Sequence, residues 1–136
     1  MIQRIQSLWF LLASACAFLS LTMPFYVGTS KEGIPSYQVT GMENLPIMLL
    51  TIATGALAFI LIFLYKKRKR QVRFAVLGIM LELLLILMYY LKVRLFTDGA
   101  YTLTSLLQGC VLFFLFLALR GIGKDIKVIK ESDRLR

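Results

Sequence analysis

Four apolar runs, each about as long as a bilayer's hydrocarbon is thick, limit what this chain can fold into. Residues 5–27 and 45–65 carry no charge, 74–91 carry only Glu82, and 99–119 carry none. An α-helix rises about 1.5 Å per residue, so about 20 residues cross the roughly 30 Å of hydrocarbon. Hydrophobic residues make up 59% of the 136, which leaves too few polar positions to coat a soluble bundle. A sheet that crosses lipid must close into a barrel, and barrel strands read as short alternating segments rather than unbroken runs. The prediction is an all-α membrane protein. It is a four-helix transmembrane bundle in one domain, residues 1–136, with spans at about 5–27, 45–65, 74–93 and 101–119.

Charge gives an orientation. With the amino terminus in the cytoplasm, 13 Lys and Arg fall inside and only Lys31, Lys92 and Arg94 fall outside. That bias predicts both termini inside, because cytoplasmic loops retain their cations. The cluster Lys66-Lys67-Arg68-Lys69-Arg70 dominates the count and is costly to carry outward against the membrane potential. Trp9 and Tyr65 then fall near the inner interface, and Tyr26, Tyr89, Tyr90 and Tyr101 near the outer one, as aromatic belts do. Pro46 suits the first turn of the second helix, and Asp98-Gly99 reads as a break that caps the fourth. In the outer loop 28–44, Tyr26-Val27 and 37–40 are able to pair as a short hairpin. Arg4, the apolar run from Leu8 and Ala13-Ser14-Ala15 faintly resemble a secretory signal. The apolar residues continue unbroken through Phe25, so the first span is expected to stay.

Lipid tails do not drive helices together, so close approach needs small residues and polar contacts. Ala13, Ala17 and Ser20 offer such a face in the first helix, Thr51 and Gly55 in the second, Gly78 in the third, Ser105 and Gly109 in the fourth. Glu82 stands out, since a carboxylate in mid-span costs on the order of 3 kcal/mol on insertion scales. Its apolar neighbours outweigh that cost, and the group should face the protein interior. Counted inward from the basic ends, Glu82 lies about 12 Å deep, Ser14 about 13 Å, and Thr54 and Gln108 about 16 Å. These four are expected to form one intramembrane polar layer. It is read as a clasp that fixes helix register, a proton or cation site, or a contact with a partner's transmembrane helix.

Enzyme chemistry finds no foothold. The chain has no His, and Cys16 and Cys110 lie inside spans without CxxC spacing. No GxSxG, HExxH or phosphate-binding glycine loop is present, so no catalytic residue, cofactor or metal is expected. Lys66, Lys67, Arg68, Lys69 and Arg70 are expected to meet anionic headgroups. No aromatic residues are interleaved with them to suggest nucleic acid. In the tail, 120–136, Ile122, Ile126 and Ile129 recur at helical spacing among lysines, which predicts a short interfacial helix along the headgroups. Asp133, Arg134 and Arg136 at its end are candidate contacts for a partner.

The opening Met1-Ile2-Gln3-Arg4-Ile5-Gln6 resembles the start of a family known as a domain of unknown function (number 4293). Arg120-Gly121-Ile122, Lys124-Asp125 and 132–136 resemble its end, with departures at Gly123 and Ile126, where that family is more often charged. The resemblance spans the full length and implies a small four-span inner-membrane protein of Bacteroidota-type bacteria. It brings no activity with it. The leading functional expectation is a non-enzymatic accessory or scaffold subunit of a membrane complex, as a homo-oligomer or with another membrane protein. The alternative is a small proton- or cation-coupled transporter using Glu82.

Overall fold

A computed structural model describes residues 2–135, with side chains described from Ile5 onward. The chain runs α1 (Ile2–Thr22), β1 (Tyr26–Ser30), β2 (Tyr37–Val39), α2 (Leu45–Phe63), α3 (Arg68–Val93), β3 (Phe96–Tyr101) and α4 (Leu106–Arg134). All four helices are long and apolar enough to cross a membrane. This is a multi-pass membrane protein. α1 packs along both α2 and α4, and α3 closes the square by packing along the same two helices.

Which face each helix buries follows from one spacing. α2 buries Ile47, Thr51, Thr54, Ala58 and Leu61. α3 buries Gln71, Ala75, Gly78, Glu82, Leu85 and Tyr89. α4 buries Gln108, Val111, Leu115, Ala118, Ile122 and Asp125. Steps of three and four residues alternate in every helix, the pattern of a left-handed bundle with knobs in holes. The small residues on α1, α2 and α3 lie on this buried face. In α4 the small-residue expectation fails, because Gly109 is exposed and a side chain there would touch nothing. It stands one position, about 100° of helix, off the buried stripe.

Three further expectations are corrected. The first apolar run does not stay helical to residue 27. α1 stops at Thr22 because Pro24 cannot continue it, and the apolar remainder becomes β1. Asp98 and Gly99 do not cap α4 but lie within β3. The tail is no separate interfacial helix, since α4 continues without a break through 29 residues, or about 44 Å. Ile122 and Asp125 keep the three-four spacing, so the first part of the tail packs onto the bundle and 127–135 continue the same helix exposed beyond it.

A three-stranded antiparallel sheet, ordered β2-β1-β3, covers the end of the bundle opposite the basic residues. The foreseen hairpin is present, with Tyr26 opposite Val39 and Gly28 opposite Tyr37. β3, on the other side of β1, sets Gly28 against Gly99. A Cβ on Gly99 would come within 2.6 Å of the Gly28 Cα and 2.7 Å of the Tyr26 ring, so only glycine fits beneath that ring. Tyr26 also meets Phe96 and Tyr101 edge-on at 5.2 Å. Beneath the sheet Tyr26 and Val39 join Ile47, Leu85 and Tyr89 in one apolar cluster, and Phe25 stacks on Tyr89 at 4.3 Å. The hydroxyls of Thr102 and Thr104 both donate to the Pro24 carbonyl, tying the end of α1 to the start of α4.

Gly99→Ala should overpack this contact and cost about 1–3 kcal/mol. Hydrogen exchange should then speed up in β1 and β3 while the spans keep their protection.

Candidate functional site

Two polar regions interrupt the apolar interior, a belt within the membrane span and a clasp at the basic end. The belt falls between two apolar clusters. One contains Ala13, Ala17, Ala58, Ala75 and Leu115, and the other is the cluster under the sheet. Ser20 on α1, Thr51 and Thr54 on α2, Glu82 on α3 and Gln108 on α4 are all buried there.

The structure buries each of the four predicted layer residues but pairs none with another. Ser14 Oγ donates to the Gly55 carbonyl at 3.0 Å, and Thr54 Oγ1 donates to Leu50 O of its own helix at 2.9 Å. The Gln108 amide donates to Ser20 Oγ at 3.0 Å, six residues along α1 from Ser14, which is about 9 Å of rise. Glu82 is 0% exposed, and neither carboxylate oxygen has a hydrogen-bond partner among the described residues. The Tyr89 hydroxyl and Gln108 Oε1 are also buried, with no hydrogen bond of ordinary geometry among the described residues, although the hydroxyl lies beside Gln108 and Thr51. Tyr89 lies seven residues beyond Glu82 on the same stripe of α3, and long helical side chains lean back toward the amino end, here toward Glu82. A buried carboxylate without a partner is costly and rare, so Glu82 marks a place where packing has yielded to another demand.

The clasp was not foreseen. Asp125 is 6% exposed and one of its oxygens, Oδ2, accepts from Gln6 Nε2 at 2.6 Å and from Arg68 at 2.5 Å. One carboxylate thus joins α1, α3 and α4. A side chain on Gly121 would press the Gln6 methylene at 3.0 Å, so the glycine leaves room for that glutamine. Nearby, Gln71 Nε2 donates to Leu61 O at 2.9 Å and holds α3 to the end of α2. The signal for the clasp was available in the spacing: three-four steps along α4 from Gln108 arrive at Asp125, and the same steps along α3 from Glu82 arrive at Gln71 and Tyr89.

The two sets of surface residues expected to contact headgroups and a partner line a single cleft of about 1080 Å³. Lys66, Lys67, Lys69 and Arg70 form one wall with Arg73, while Lys130, Asp133 and Arg134 form the other above Ile126 and Ile129. Arg68 also borders the cleft but is engaged by Asp125, its side chain 15% exposed, and so is a structural cation. Arg136 lies outside the described residues.

Asp125→Ala should free the end of α4. Allowing for partial exposure of the pair, the loss should be about 2 kcal/mol. Trypsin should cut at Lys127 and Lys130 about tenfold faster or more, with cleavage elsewhere unchanged.

The model of a family described as "Domain of unknown function (DUF4293)" matches residues 2–135. Neither a curated protein nor a solved structure matches the chain. The match takes in all four spans, the sheet and the clasp, and the chain belongs to this DUF4293 family.

Proposed function

We propose that this chain is a non-enzymatic protein of the bacterial inner membrane, with both termini in the cytoplasm, serving as an accessory or scaffold subunit of a membrane complex. The observation that carries this reading is the end of α4. Helix persists through Arg134, 15 residues past the last apolar residue of the span, Leu119, and Asp125 anchors it to two other helices. Residues 127–135 are all exposed beyond that anchor. They carry both charge signs beside Val128 and Ile129, which are 58% and 48% exposed. A surface already ordered before it meets its partner loses little entropy on binding. The sequence places 13 of its 16 Lys and Arg in the segments assigned to this side, which supports its cytoplasmic placement.

The belt favours a second reading, a small proton- or cation-coupled transporter. Its support is Glu82 itself, fully buried with two unpartnered oxygens, since an intramembrane carboxylate commonly marks an ion path.

Gentle detergent extraction followed by mass spectrometry should identify a co-purifying membrane protein. Deleting 127–136, which spares Ile122 and Asp125, should abolish that association, whereas Glu82→Gln should leave it intact. A wild-type chain that brings nothing with it overturns the scaffold reading. For the transporter, Glu82→Gln should eliminate pH-driven proton flux in proteoliposomes while the deletion leaves flux unchanged. Orientation is checked separately: Lys67→Cys should resist an impermeant maleimide in intact cells, and Lys31→Cys should react.

A further inference from the structure

The basic cleft and an apolar groove beside it together point to a ligand that neither specifies alone. Seven cations face the cleft once Arg68 is set aside, and Asp133 is the one carboxylate among its lining residues. Like charges this crowded repel one another unless an anion sits among them. α3 begins at this wall with no side-chain cap, so the N–H groups of its first turn add their partial positive charge. The floor is carbon, from Ile126 and Ile129.

A second depression, of about 400 Å³, lies within the membrane span along α2, with Phe74 its one lining residue on α3. Ala53, Ala56, Leu57 and Ile60 line it, and its basic-end limit is Leu64 and Phe74. Leu64 is two residues from Lys66, and Phe74 is next to Arg73. In sequence, therefore, the lining of the apolar slot and that of the cationic cleft come within two positions of each other at the basic end of the span.

We propose that the cleft and the groove form a binding site for one anionic glycerophospholipid, its phosphate held between the α2–α3 turn and the end of α4 and one acyl chain lying in the groove. Charge complementarity selects the headgroup, and the slot selects a lipid over a soluble phosphate compound. Basic pockets between transmembrane helices bind anionic headgroups in this manner. The site shares Lys130, Asp133 and Arg134 with the surface proposed for a protein partner, and a lipid that spans both walls would stiffen that surface further.

The test uses the full-length chain in phosphatidylcholine vesicles containing a minority of phosphatidylglycerol, with the lipid retained after detergent release read by native mass spectrometry. One phosphatidylglycerol should stay bound where phosphatidylcholine is stripped. K69Q/R70Q/R73Q should lower retention about tenfold, whereas R120Q/K124Q/K127Q, the same loss of charge outside the cleft, should change it by less than about twofold. Equal loss in both triples, or equal retention of phosphatidylcholine, overturns the site. Displacement of the lipid by excess inorganic phosphate assigns the cleft to a soluble anion instead and overturns the lipid. A53W keeps every cation and fills the slot. It should reduce retention at least threefold on the scale of a displaced acyl contact, and unchanged retention overturns the site even if the charge variant does not fold.

Discussion

Every helix in this bundle must present one narrow stripe to its neighbours in a medium that gives no hydrophobic reward for doing so. The stripe is spaced three and four residues apart, and its members are small, polar or tightly fitted apolar side chains. Ala13, Ala17, Ala58, Ala75 and Ala118 let the backbones approach, so that dispersion and a few hydrogen bonds hold the helices together. The other features depend on this closeness. Ser14 reaches a carbonyl of α2, Gln108 reaches Ser20 of α1, and Asp125 reaches two helices with one oxygen.

Membrane composition governs what can be read from the sequence. The four helices and their approximate limits are legible because 20 residues without charge have few other uses. The buried stripe is harder to find, because lipid-facing positions are as apolar as packed ones and the usual periodicity is erased. Glu82 and Gln108 could be picked out as buried because no polar residue belongs in hydrocarbon. Gly109 misled, since smallness alone does not tell a packing notch from a bare patch on the outer face. Asp125 was overlooked as one more charge in a charged tail, although it continues the stripe from Gln108. The third strand was hidden because Asp98-Gly99 has the composition of a turn, while its role is to let β1 and β3 approach beneath Tyr26.

The two polar regions differ in the kind of demand they meet. At the basic end the Asp125 carboxylate is met by Gln6 and Arg68, although Gln71 Oε1 beside it has no partner among the described residues, and the clasp makes α4 a stiff projection. In the mid-membrane belt the carboxylate of Glu82 has no partner among the described residues. Stability alone would favour apolar side chains at such positions. The belt is where a conducted ion would act, and the clasp and cleft are where a subunit or a lipid would. Both readings fit in one small molecule because they occupy different depths.

The clasp also has a bearing on how the chain is made. Gln6 and Asp125 are 119 residues apart in sequence, so the first helix enters the bilayer long before its partner on the last has been translated. A nascent chain passing the ribosome tunnel holds three helices with Gln6 and Arg68 still seeking a carboxylate. Closure waits for the synthesis of α4. Until α4 arrives, the faces of α1 and α3 that it covers stay open together with the two donors, so the clasp closes in the same step that packs the last helix.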